Sequence, residues 1–227
     1  MSKKIFAVAV DGPSGAGKST MAKAAAERLG ILYVDTGAIY RTIGVYMYRH
    51  SIDPKDVSAV TAALPEITIT LRHDEAGLQR MILNGEDVTK EIRLPVISMY
   101  ASDVSAIPAV RDFLMELQRS LARQQSVIMD GRDIGTVVLP DAEVKIFLCA
   151  DAEVRARRRC LELEQRGTPK PFEEVLAEMQ ERDYQDTHRA TAPLRPADDA
   201  IMIDNSDMDF QQSLELLLDV IRGSVEE

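Results

Sequence analysis

Between Ile5 and Thr20 the chain reads IFAVAVDGPSGAGKST: an apolar run that stops at Asp11, three glycines within six residues, then Lys18 and Ser19. No other stretch restricts the fold as much. A short continuous apolar run is expected of a strand buried on both faces. The helix-forming MAKAAAERL that follows the glycines completes a strand, loop and helix unit. From Gly12 to Ser19 the spacing satisfies GxxxxGK[ST] without a mismatch. Glycine lets successive N–H groups point into one concavity, and a helix opening at about Gly17 adds its positive end there. The expected guest is an anion with several acceptor oxygens, a nucleoside triphosphate. Lys18 is placed to reach its β and γ phosphates, and the Ser19 hydroxyl to ligate a magnesium ion bridging them.

The rest of the chain repeats the theme. ILYVD (31–35), SVIMD (126–130), VKIFLC (144–149) and AIMID (200–204) read as further strands, and Ala38 to His50 as a second helix. Alternation of this kind means a parallel sheet with crossover helices. The pattern breaks between about Ser51 and Pro95. There Ile67 to Leu71 and Gln79 to Leu83 alternate as antiparallel strands, joined by HDEAG and followed by NGED and a third short run. A helical stretch from Ser98 to Gln124 is expected to break at Ile107-Pro108, where the residue before proline is pushed out of α geometry. AEVRARRRCLELEQR forms a helix closed by Gly167, another runs from Pro171 to about His188, and FQQSLELLLDVI is a closing amphipathic helix.

Charge limits the partners. Of 227 residues 45% are hydrophobic and 28% charged, and the formal net charge is −10. That balance argues against a nucleic acid or an anionic membrane, so an anionic ligand must be met by local arginines. MSKKIFAVAV starts like a leader, but its apolar run ends after six residues, and no stretch is long enough to span a bilayer. Cys149 and Cys160 form no CxxC, and His50, His73 and His188 are scattered. A cytoplasmic monomer is expected, with small molecules as its ligands.

In a parallel sheet the carboxyl ends of the strands line up where ligands bind. Asp11, Asp35, Asp130 and Asp133 all fall at such ends. Asp130 is placed like a Walker B acid, able to hold a water of the magnesium shell, while Asp35 is equally a helix cap. Arg41 lies one turn into its helix, and Arg132 sits within the turn DGRD. Arg182, Asp186 and Arg189 are spaced four and then three, which puts them on one helical stripe. Two guanidinium groups beside one carboxylate suit an anion and a sugar hydroxyl together, although the same stripe also reads as an exposed salt-bridged face. Arg155, Arg157, Arg158 and Arg159 form a denser cluster, either a solvated face or a mobile lid closing on the triphosphate.

DGPSGAGKST, DTGAIYR, NGEDVTKEIR, DGRDIGTVVLPDAEVKIFL and ERDYQDTHRATAPL, in this order from about Ile5 to Asp204, resemble the bacterial cytidylate kinases. The phosphate loop alone points only to the P-loop superfamily; the other motifs are far more specific. The resemblance implies an α/β P-loop kinase with a five-stranded parallel sheet, order 2-3-1-4-5 in the strands named above, and helices on both faces. It implies a core of residues 1–51, 99–150 and 190–227, a monophosphate-binding insertion at about 52–98 and a helical lid at about 151–189. The implied activity is transfer of the γ-phosphoryl group of ATP to CMP or dCMP. Gly12, Pro13, Ser14, Gly15, Ala16, Gly17, Lys18, Ser19 and Thr20 would then hold ATP, with Arg157 and Arg158 closing on it and Ser19 and Asp130 serving magnesium. Thr36, Arg41 and Arg132 would take the CMP phosphate, Ser102, Arg182 and Asp186 the sugar, and Arg111, Asp133 and Arg189 would lie near the cytosine. Lys18, Arg132 and Arg189 would carry the catalysis. Thr36 stands where serine is common in the family, and Ser19 where some relatives have glycine; both departures keep or add a hydroxyl. A kinase of another small acceptor, UMP or shikimate, and a nucleotide-sensing switch remain as alternatives, the switch weakened by the lack of an NKxD motif.

Overall fold

The computed structural model describes residues 5–75, 77, 79–165 and 167–225. Ala76 in the expected HDEAG turn, Arg166 at the end of an expected helix and the opening MSKK lie outside the described residues. The chain divides into two compact units, one of Met1–Tyr33 with Ala122–Glu227 and the other of Val34–Leu121.

The first unit is built on β1 (Ala7–Asp11), which pairs in parallel with β6 (Val127–Gly131) on one side and β7 (Val144–Cys149) on the other. β8 (Ile201–Asp204) pairs in parallel with β7, and β2 (Leu32–Asp35) lies beyond β6, so the order is β2-β6-β1-β7-β8. This is the expected order 2-3-1-4-5. Val8 and Val10 point to one face and Ala9 to the other, and all three are fully buried, as a central strand covered on both faces requires. On the valine face lie α1 (Lys18–Leu29) and α8 (Phe210–Val225). Met21, Ala22, Ala25 and Ala26 let α1 approach closely, while Leu214, Leu217, Leu218 and Ile221 give α8 an apolar stripe at helical spacing. Each fully buried leucine or isoleucine there is worth about 1.5–3 kcal/mol of removed apolar surface. A smaller cluster, Ala156, Val175 and Met179, joins α6 (Ala152–Gln165) to α7 (Phe172–His188).

The second unit holds α2 (Thr36–Arg49), α3 (Val57–Ala63), the antiparallel strands β3 (Ile69–His73), β4 (Gln79–Leu83) and β5 (Glu86–Asp87), then α4 (Pro95–Ser105) and most of α5 (Pro108–Gln124). The break at Pro108 falls where the sequence puts it. β3 starts two residues later than the alternation suggests, because the Ile67 N–H closes a turn onto Leu64 O and the Thr68 N–H is taken by the Asn84 side chain. Among the described residues no helix is long and apolar enough to cross a membrane.

Candidate active site

The phosphate loop starts where the backbone leaving β1 has no room for a side chain. Gly12 has φ +148, and a Cβ there would sit 1.9 Å from the Leu148 carbonyl oxygen of β7. At the other end Gly17, with φ 89, caps α1, whose first-turn N–H groups are thereby turned toward the loop. Lys18 is 5% exposed and its Nζ donates to Pro13 O at 2.7 Å, folding the side chain back across the loop. Burial, helped by the charge of Arg132, lowers the Lys18 pKa well below its ordinary value; the nearby Asp130 and Asp11 work against that.

Ser19 Oγ donates to Asp130 Oδ2 at 2.9 Å, so the first turn of α1 and the end of β6 present hydroxyl and carboxylate oxygens together. The other Asp130 oxygen accepts from Tyr33 Oη at 2.9 Å. Asp11 accepts from the N–H groups of Ile134 (2.8 Å) and Gly135 (2.7 Å), which ties the end of β1 to the turn after Asp133. Burial pushes the Asp11 carboxyl up to about 6 in spite of those two donors.

Beyond β6 four charged residues pair across more than fifty positions. Arg132 Nε donates to Asp186 Oδ2 at 2.7 Å, and Arg189 to Asp133 Oδ1 at 3.4 Å. Burial acts to raise the Asp186 pKa, but the charges of Arg132 and Arg182 outweigh it and hold the carboxyl below the ordinary value. The expected trio of Arg182, Asp186 and Arg189 does come together, since the charges of both arginines act on Asp186, but its last member lies just past the helix. α7 ends at His188, and Arg189 is extended (φ −60, ψ 140), with its Nε turned onto Ala192 O at 2.7 Å. Asp133 thus pairs with Arg189, from the end of α7, while Arg132 pairs with Asp186.

The arginine cluster on α6 divides. Arg157 is exposed and paired with Glu153, and Arg159 with Glu162. Arg155 departs from the picture of a mobile lid cation: it is 5% exposed, with Nε on Ala150 O, one terminal nitrogen on Ser14 O and the other on Asp183. Arg158 rests on Asn205, donating to its side-chain oxygen at 3.0 Å and to its carbonyl at 2.7 Å.

In the second unit Asp35 caps α2 by accepting from the Ala38 N–H at 2.8 Å, and also holds Arg41 at 2.7 Å. The Arg41 Nε is buried without a hydrogen-bond partner, an orphaned donor that suits an anion. Thr36 is buried in the same first turn. Arg111 is 2% exposed, donates to Ser105 O and lies 5.6 Å from the centre of the Tyr40 ring. Ser102, one turn before Ser105 on α4, hands it its backbone carbonyl at 2.8 Å.

Sequence reasoning missed Tyr33, Asn205 and the Asp11 bonds to the turn after Asp133. Asn205 had a signal: it is a polar residue just past the end of β8, at the same sheet edge as the strand-terminal acids.

A family model described as Cytidylate kinase matches residues 8–223. The chain is 48% identical over 213 residues to a cytidylate kinase of Caldicellulosiruptor saccharolyticus, covering 94% of each chain. It is 46% identical over 224 residues to one of Desulfitobacterium hafniense, covering 99% of this chain and 96% of that one. Among solved structures, a shikimate kinase from Bacteroides thetaiotaomicron aligns over 96% of this chain and 99% of its own, at 14% identity and a TM-score of 0.47.

Proposed function

The chain belongs to the cytidylate kinase family, and we propose that it transfers the γ-phosphoryl group of ATP to CMP or dCMP, giving CDP or dCDP. One observation carries the reading: a glycine-walled loop with Lys18 folded across it stands beside a hydroxyl–carboxylate pair and two buried arginine–aspartate pairs. Gly12 to Thr20 hold the triphosphate, with Arg157 and Arg158 closing over it. Thr36, Arg41 and Arg132 take the acceptor phosphate, Ser102, Arg182 and Asp186 the sugar, and Arg111, Asp133 and Arg189 the base. Residues of about 52–98 act as the monophosphate-binding insertion and about 151–189 as the lid around the remaining core.

The Ser19 and Asp130 oxygens, 2.9 Å apart, are hard donors fit for magnesium, Ser19 as a direct ligand and Asp130 through water. When bound, the ion supplies charge neutralisation to the phosphates. The acceptor oxygen has a second pKa of about 6 and is already a nucleophile at neutral pH, so no general base is required. The work left to the protein is to bring two polyanions together. Lys18, Arg132 and Arg189 offset the repulsion, orient attacker and leaving group, and help keep out water that would hydrolyse ATP. The protein acts as a cytoplasmic monomer on small molecules. A kinase of UMP or shikimate and a nucleotide sensor are not favoured, since the relatives carry one name across nearly the whole chain.

A coupled assay with ATP and a panel of monophosphates tests the reading. CMP and dCMP should be used well ahead of UMP, AMP and GMP, because polar groups that satisfy cytosine are left unpaired by another base. Equal turnover of CMP and AMP would overturn it.

A further inference from the structure

The carbonyls of the phosphate loop are gripped from outside. In a planar trans peptide the C=O of one residue and the N–H of the next point in opposite directions. Whatever holds a loop carbonyl therefore aims the following N–H the other way. Pro13 O is held by Lys18, Ser14 O by Arg155 at 2.9 Å, and Ala16 O by Asn205 Nδ2 at 3.0 Å. The last two peptides supply the N–H groups of Gly15 and Gly17, glycines at φ 75 and 89 that would otherwise be free to turn.

Neither outer residue has slack. Asn205 is 1% exposed, its own N–H donates to Cys149 O at 3.0 Å, and its side-chain oxygen accepts from Arg158. Its amide orientation is fixed by chemistry, since a guanidinium only donates and a carbonyl only accepts. Arg155 is fastened to Ala150 O and Asp183 as well as to Ser14 O. Both sit behind the loop, on the side of its carbonyls.

We propose that Asn205 and Arg155 are positioning residues of the phosphate loop, which aim the Gly17 and Gly15 N–H groups at the triphosphate without touching it. The proposal rests on the reading that ATP occupies this loop. It also gives Arg158 a second part: the same asparagine that sets the loop holds this arginine, so loop geometry and the position of Arg158 are linked through one side chain.

The test is calorimetric binding of ATP and, separately, of CMP to the full chain and to Asn205→Asp. Aspartate keeps an oxygen for Arg158 but sets a second acceptor against the Ala16 carbonyl. The dissociation constant for ATP should rise about tenfold or more, the order expected for a lost hydrogen bond together with a lone-pair clash. That for CMP should stay within about twofold, since the acceptor residues are elsewhere. The Gly17 amide resonance of 15N-labelled protein should move. Equal weakening of both ligands, or unchanged ATP binding in a folded variant, would overturn the proposal. If Asn205→Asp does not fold, Arg155→Lys serves instead, because lysine keeps the charge facing Asp183 yet cannot fork to Ser14 O and Ala150 O at once. The same one-sided loss is expected there, and an even loss or none would overturn the proposal. Failure of the wild-type chain to bind ATP is a separate result, which removes the donor reading and the brace with it.

Discussion

In the proposed reading the phosphate loop would meet an anion with backbone N–H groups drawn from a few consecutive residues, whereas the cluster around Arg132 would meet it with guanidinium groups, which here are paired with acids 54 and 56 positions away. The two materials behave differently. Peptide N–H groups carry no net charge, so they require no counter-ion, and a cation such as Lys18 completes the field. Guanidinium groups bring charge of their own but must be compensated while no ligand is bound, which is what Asp186 and Asp133 do. One site is a shape; the other is a balance of charges.

The sharpest way to break the comparison is Lys18→Ala. It should lower kcat about a thousandfold by stopped assay, the upper range for removing one transition-state donor, while circular dichroism stays native. A folded variant with unchanged kcat would mean that the loop backbone suffices alone. Next is Asp11, which joins the two regions through the Ile134 and Gly135 N–H groups. Its carboxyl titrates near 6 in the folded chain against an ordinary 3.8, so its contribution to stability is full below the lower value and is lost as pH rises through the upper one. Denaturant unfolding should show wild type losing about 2 kcal/mol relative to Asp11→Asn between pH 4 and pH 7; parallel curves would refute the buried titration.

Asp133→Asn probes the charge-balanced region alone. Cytosine has an exocyclic amino group where uracil has a carbonyl, so a carboxylate reading the base favours one pyrimidine. Loss of that bond should lower kcat/KM for CMP roughly tenfold to a hundredfold and narrow the gap to UMP, while ATP affinity stays near wild type. If CMP and UMP suffer alike, Asp133 serves only to hold Arg189. Smallest is Tyr33→Phe, which strips one donor from Asp130 and should cost about 1 kcal/mol in urea unfolding; no change would mean that water replaces the hydroxyl at no cost.

How much was legible follows the same division. The loop's own residues could be read because they are consecutive, a φ-permissive glycine, a lysine and a hydroxyl at fixed spacing, whereas Arg155 and Asn205, which hold its carbonyls from far along the chain, could not. A parallel sheet was legible from the alternation of strands and helices, while its order, 2-3-1-4-5, came only with the family resemblance. The pairs Arg132–Asp186 and Arg189–Asp133 were not, because partners so far apart are chosen by tertiary packing. Arg155 misled for a related reason: charge in a sequence says nothing of depth, and the most buried arginine of the α6 cluster looked like its neighbours. The two-residue shift of β3 came from a local competitor, the Asn84 side chain, that alternation of apolar residues does not report.

The collision at Gly12 has a genetic consequence. The atom in the way is the Leu148 carbonyl oxygen, a main-chain atom that is present whatever amino acid occupies position 148. In a saturation library position 12 should therefore tolerate glycine alone. Suppressor screens begun from a Gly12 allele should return true revertants, and no change of side chain on the facing strand, because no codon at position 148 encodes a peptide without its oxygen.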